Sequence, residues 1–244
     1  MPVAIPDKAA DARPDEGAAP HRRAIRSFVA RAGRMTVAQD RAWRELWPRY
    51  GLADTDETLD LDAAFGRTAA RTLEIGFGNG ESLVALAQAH PDEDFLGIEV
   101  HRPGVGHLML RAESLELGNI RVACRDAVEV LSLQLPDASL DAVLLYFPDP
   151  WPKKRHHKRR LLTPRFAHEL ARRLVPAGCL HVATDWEDYA QEALVTLGAE
   201  PLLENTADGF APRPAARPVT KFEMRGLKLG HGVRDIVFRR RPGS

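Results

Sequence analysis

Two cysteines in 244 residues is little sulfur, and Cys124 and Cys179 form no Cys-x-x-Cys pair. That excludes a disulfide-stapled scaffold and leaves both as reduced thiols of a cytosolic protein. No long apolar run is present, so no membrane span is expected, and the N-terminus lacks the apolar core of a secretion signal. Net charge is also missing: 34 basic and 34 acidic side chains cancel. Any polyanionic partner must therefore be met by local clustering rather than by a global field. What remains is 44% hydrophobic, enough for one sizeable core.

Residues 1–21 have no hydrophobic periodicity and read as a disordered tail. A basic extension over 22–70 follows, whose part up to Leu52 sets Arg22, Arg23, Arg26, Arg31, Arg34, Arg41, Arg44 and Arg49 against Asp40 and Glu45. Two readings stand for it: an amphipathic lid with solvated arginines, or a second nucleic-acid contact. From 71 to 244 strand and helix signals alternate. Strands are expected at RTLEIGF, FLGIEV, NIRVACRDA, LDAVLLYF, GCLHVATD and HGVRDIVFRR. Between them lie helices such as ESLVALAQAH, GVGHLMLRAESLEL, VEVLSLQL, PRFAHELARRLV and EDYAQEALVTLGA, and a proline-bearing loop runs into the last strand pair. The pattern predicts an α/β fold: one doubly wound, Rossmann-like domain whose sheet is mostly parallel with an antiparallel C-terminal strand.

The first strand runs into Gly76, Gly78 and Gly80. A dinucleotide fingerprint would need a further glycine at 81, and Glu81 stands there. An acid, Glu74, precedes the turn. A carboxylate there repels a phosphate but suits an ammonium, and S-adenosylmethionine carries an ammonium and no phosphate. Glu99, at the end of the second strand, is placed to accept from ribose hydroxyls, and Asp126, after the third, from an adenine amino group. Acids at three successive strand ends beside a glycine turn point to that cofactor rather than to turn glycines with solvated acids.

After the fourth strand comes FPDPWPKKRHHKRR, residues 147–160. Asp149 should face the cofactor crevice, because ligands of open α/β sheets bind beyond the carboxyl ends of the strands. Pro148, Pro150 and Pro152 stiffen the loop around it. Trp151 either stacks on a base or packs under the loop. Lys153, Lys154, Arg155, Lys158, Arg159 and Arg160 then supply six cations with no acid among them, expected to contact a phosphate backbone. His156 and His157 lack the spacing of further ligands, so no metal site is expected.

With these pieces in place, the chain resembles the bacterial tRNA (guanine-N7-)-methyltransferases. The resemblance is carried by IRSFVARAGRMTVAQDRAW, LEIGFGNG, GIEVHRPGVG, YFPDPWPKKRHHKRRL, ATDWEDYA and TKFEMRGLKLGHGVRDIVF, which together cover nearly all of Arg23 to Arg239. Asn79 is a small departure, where many members carry methionine; the N-terminal tail is the large one. The resemblance implies S-adenosylmethionine as donor and a guanine of the tRNA variable loop as target. It implies donor contacts by Glu74, Glu99 and Asp126 around Gly76, Gly78 and Gly80, with Asp149 near donor and base and acting as the catalytic residue. It implies RNA contacts by Lys153, by Arg155, His156, His157, Lys158, Arg159 and Arg160, by Asp185, and by Thr220, Lys221, Phe222 and Glu223. A cytoplasmic enzyme with no membrane, metal or obligatory protein partner is expected. The rival readings are a methyltransferase of another substrate, a non-catalytic RNA-binding protein and, third, an NAD-dependent oxidoreductase.

Overall fold

The structure is a computed structural model and describes residues 28, 34–215, 217, 223 and 232–243. The strands are β1 (Arg71–Ile75), β2 (Asp94–Ile98), β3 (Ile120–Ala123), β4 (Leu140–Tyr146), β5 (Leu174–Thr184), β6 (Leu203–Asn205) and β7 (Arg234–Arg240). They form one sheet in the order β3-β2-β1-β4-β5-β7-β6. β1 to β5 pair in parallel, and β7 is inserted antiparallel between β5 and β6. The expected doubly wound sheet with an antiparallel C-terminal strand is what forms. Strand order reverses between β1 and β4, and crevices for ligands open at such a reversal.

The sheet is covered on both faces, which is why β4 reads as a continuous apolar run. On one face Leu73, Ile75, Leu96, Ile98, Val143 and Leu145 pack under α3 (Leu61–Phe65), α7 (Pro164–Arg173) and α8 (Glu187–Gly198). The predicted helix VEVLSLQL is α6 (Ala127–Glu129) continued by a π turn over Val130–Gln134, and it joins this layer. On the other face α1 (Val37–Glu45), α2 (Trp47–Tyr50), α4 (Glu81–Ala89) and α5 (Arg102–Ser114) enclose Phe77, Phe95, Ile120 and Val122.

The described part of the basic extension divides between the layers: α1 and α2 belong to the second, whereas Leu52 and α3 pack in the first. Thr36 and Gln39 form a reciprocal cap at the start of α1, a device worth about 1 kcal/mol. Trp43 and Trp47 stack with ring centroids 4.5 Å apart, and the Arg102 guanidinium lies 3.9 Å over Trp43. The Trp43 indole N–H donates to the carbonyl of Arg102 (3.1 Å), so α1 is pinned to the start of α5.

Two boundaries differ from expectation. The helix predicted to reach Val175 ends at Arg173, and β5 begins at Leu174 rather than at Gly178. The pairing with β4 slips between Leu140↔Leu174 and Ala142↔Cys179, and this bulge accommodates Pro176, which cannot donate to a ladder, and Ala177 at φ 66°. β6 has three residues, too few for a period-two signal.

Candidate active site

A cleft of about 500 Å³ opens at the carboxyl ends of the central strands. Its lining includes Gly76 after β1, Glu99 after β2, Asp126 after β3, Asp149 after β4, and Phe28 from the basic extension. Four sequence-predicted site residues from four strand ends therefore meet in one crevice.

The glycine turn is shaped by close approach. Gly80 sits at φ 77°, and a Cβ there would lie 2.4 Å from Leu108 Cδ1; a Cβ on Gly104 of α5 would lie 2.1 Å from the Gly78 carbonyl oxygen. Glu99 locks the turn to β2. Its Oε2 accepts from the Gly78 N–H (2.9 Å), while Oε1 accepts from the N–H groups of Val100 (2.7 Å) and His101 (2.9 Å). A carboxylate has about four acceptor positions, so three backbone bonds leave room for a hydroxyl. Asp126 caps α6, its Oδ1 accepting from the Val128 N–H at 3.0 Å.

Glu74 behaves differently. It is 3% exposed in the middle of the sheet, is not among the cleft-lining residues, and its Oε2 has no hydrogen-bond partner. The nearby Ser82 hydroxyl is likewise without a partner. Burial pushes the Glu74 carboxyl from its ordinary 4.5 up to about 8, an effect that Ser82 offsets only in part and Glu99 increases. A buried acid with one unpartnered oxygen, below a cleft lined by further acids, fits a cationic, hydroxyl-bearing ligand and does not fit a pyrophosphate. S-adenosylmethionine meets that description.

The loop that carries Asp149 is tightly folded. Phe147 and Trp151 both adopt positive φ (50° and 45°), a conformation costly for side chains of this size. Phe147 N–H donates to the carbonyl of Ala183 (2.7 Å), tying the start of the loop to β5. Asp149 itself is exposed.

The basic block forms a 3₁₀ helix over Lys154–Arg159. With three residues per turn its side chains fall into three rows. His156 and Arg159 pack on Trp151, the first edge-on at 5.9 Å and the second with its guanidinium 5.0 Å over the ring. Arg155 and Lys158 point to solvent, as do Lys153 and Lys154. His157 and Arg160 turn inward. Arg160 is 2% exposed, donates to the Pro150 carbonyl (3.0 Å) and to Asp188 (2.6 Å), and pairs with Glu192, both acids lying on α8. Its guanidinium is therefore committed inside the protein, and it differs in this from the outward cations with which the sequence groups it. Of the two readings open in sequence, packing within the loop is what these contacts show for Trp151.

Asp185 follows β5, half-buried, and is not among the cleft-lining residues. Thr220, Lys221 and Phe222 lie outside the described residues. Glu223 is 4% exposed, and both of its carboxylate oxygens accept from Arg217 (2.7 and 2.8 Å). Sequence reasoning missed Phe28 in the cleft wall and the inward turn of Arg160. It also missed the buried polar residues His181 and Asp235, whose signal was an ionisable residue at an inward position of an otherwise apolar strand.

A family model described as "Putative methyltransferase" matches residues 68–236. The tRNA (guanine-N(7)-)-methyltransferase of Ralstonia pickettii is 60% identical over 222 residues, covering 91% of this chain and 86% of that one. That of Alkalilimnicola ehrlichii is 58% identical over 232 residues, with 93% and 98% covered. The chain belongs to the tRNA (guanine-N(7)-)-methyltransferase family. Among solved structures, the 16S rRNA methyltransferase KamB is similar with a TM-score of 0.57 at 13% identity, over 76% of this chain and 95% of that one. The antibiotic-resistance methyltransferase Kmr follows at 0.54 and 18%, over 79% and 96%. At such identities these two speak for the fold alone, a Rossmann-like methyltransferase sheet.

Proposed function

We propose that this protein transfers a methyl group from S-adenosylmethionine to N7 of a guanine in the variable loop of tRNA. The observation that carries the reading is the meeting of Glu99, Asp126 and Asp149 in one cleft, bordered by a helix of outward cations. When bound, S-adenosylmethionine supplies an electrophilic methyl group. Glu99 and Asp126 would hold its sugar and base, and Glu74 would lie beneath its charged end. N7 of guanine carries a free lone pair and needs no deprotonation. The protein's own task is therefore alignment in a water-poor pocket. Asp149, on a strained loop at the cleft mouth, accepts from the N–H edge of the guanine and stabilises the positive charge that grows on the ring. Lys153, Lys154, Arg155 and Lys158 hold the phosphate backbone. Trp151, backed by His156 and Arg159, offers a face to RNA.

The chain is then expected to work in the cytoplasm on tRNA without an obligatory protein partner, and no helix among the described residues is long and apolar enough to cross a membrane. The domain reading remains a tail over 1–21, a basic extension over 22–70 and a methyltransferase domain over 71–244. Incubation with unmodified tRNA and labelled S-adenosylmethionine tests the proposal. The expected product is N7-methylguanosine, identified by mass; label in a different nucleoside, or none, would overturn it.

A further inference from the structure

One buried polar chain is not absorbed by the site above. On the sheet face that carries Glu74, the positions Leu144 and Tyr146 of β4, His181 and Ala183 of β5, and Asp235 of β7 lie side by side. Tyr146 lines the donor cleft. Its hydroxyl is 3.2 Å from His181 Nδ1, and the two rings meet edge-on at 5.1 Å. His181 Nε2 is 2.7 Å from Asp235 Oδ1. Arg217 pairs with the same carboxylate, its Nε 2.8 Å from Oδ1 without hydrogen-bond geometry and its Nη2 donating to Oδ2 at 3.4 Å, and it holds Glu223 by two hydrogen bonds. All five side chains are buried, at 2 to 8% exposure.

Hydrogen-bond roles along the chain follow from chemistry. A carboxylate only accepts, so His181 Nε2–H donates to Asp235, and the other ring nitrogen, Nδ1, shares a hydrogen bond with the Tyr146 hydroxyl. Burial pushes the Tyr146 hydroxyl far above its ordinary range, so it keeps its proton. The tyrosine is thus held at its tip, while its backbone ends β4 one residue before strained Phe147 and three before Asp149. A buried chain of polar contacts favours one arrangement, and removal of a member leaves the next unsatisfied.

We infer that Tyr146 is a positioning residue for methyl transfer, anchored through His181, Asp235 and Arg217 to Glu223. The segment that bears Glu223 thereby sets where the Asp149 loop leaves the sheet. This deepens the tRNA reading and rests on it: the far end of the chain lies in the stretch expected to meet RNA, and the near end forms the wall of the donor cleft.

A double-mutant cycle on the full chain tests it, with kcat measured on unmodified tRNA transcript and donor-site affinity measured by calorimetry with S-adenosylhomocysteine. Tyr146→Phe keeps the ring and removes the anchor; Arg217→Lys keeps the charge and removes the fork. Each is expected to lower kcat about tenfold, and the double variant also by about tenfold, because residues of one network do not add. The S-adenosylhomocysteine dissociation constant of Tyr146→Phe is expected to stay within about twofold of wild type, which separates positioning from simple loss of packing. Independent effects that multiply to about a hundredfold would overturn the chain, as would Tyr146→Phe with wild-type kcat. Should Arg217→Lys fail to fold, as judged by its melting curve, Asp235→Asn takes its place in the cycle. A wild-type protein that methylates no tRNA sinks the functional reading; an active one with multiplying variants sinks this inference alone.

Discussion

The two halves of the crevice are held by different means. On the β1–β3 side, acids are fixed by backbone: Glu99 takes three main-chain N–H groups, and Asp126 caps a helix. On the β4–β7 side, the site is fixed by side chains against side chains: Arg160 with Asp188 and Glu192, Arg217 with Glu223 and Asp235. Backbone donors cannot be mutated away, whereas each charged pair can be broken by one substitution. The donor side should therefore tolerate change around its acids, and the RNA side should respond to single changes at a distance from the reacting atoms.

The largest expected effect is on Asp149 itself. Asp149→Ala should lower kcat by about a hundredfold or more, the scale of losing one group aimed at developing charge, while filter binding to tRNA persists. Full retained turnover would remove Asp149 from the mechanism. Next comes the outward row. Neutralising Lys153, Lys154, Arg155 and Lys158 should weaken tRNA binding and reduce the slope of log affinity against log salt by roughly 0.7–0.9 per lost phosphate contact. An unchanged slope in a salt titration would rule against the row. Arg160→Met sharpens the comparison, because it removes a cation from the same block. It should leave the salt slope unaltered, lower the melting temperature by removing the link between the Pro150 carbonyl and α8, and lower kcat about tenfold through a loosened Asp149 loop. A drop in salt slope would return Arg160 to the RNA-contacting set.

The last test reads stability rather than turnover, and concerns Glu74, the buried donor-side acid with an unpartnered oxygen. The folded carboxyl of Glu74 titrates near 8 against 4.5 for the ordinary group, so the folded state binds a proton that the unfolded chain releases. The stability linked to that proton is complete below pH 4.5 and is lost as pH rises through 8, at about 1.4 kcal/mol per unit. Donor-free Glu74→Gln should therefore melt above wild type at pH 8.5, by a few degrees for each kcal/mol, with the gap closing towards pH 5. A gap that does not change with pH would contradict the assignment.

Most of the sheet was legible because β1, β2 and β4 are apolar runs bounded by glycine or proline, and strand ends in such sheets share one edge. The acids of the cleft were legible for the same reason. The fate of Arg160 was not, since a run of like charges carries no mark of which member turns inward; only the three-residue period of a 3₁₀ helix, beginning at Lys154, separates it from Arg159. Nor was the partner of Glu223, because Arg217 is one arginine among several in a proline-bearing loop, and its burial depends on Asp235 arriving from β7. Pro176 misled the β5 boundary, since a bulge lets a strand include a residue that a regular ladder would refuse.

The insertion of β7 between β5 and β6 has a consequence for how the protein is made. Asp235 comes from β7, which follows β1 to β6 in the chain, and without it His181 and Arg217 lose a buried partner. A nascent polypeptide still inside the ribosomal exit tunnel can assemble the glycine turn and its acids, but not the far side of the crevice. Methylation competence should thus arrive only once β7 has emerged and paired with β5, and products that stop before β7 should be inert towards the very RNAs that surround them.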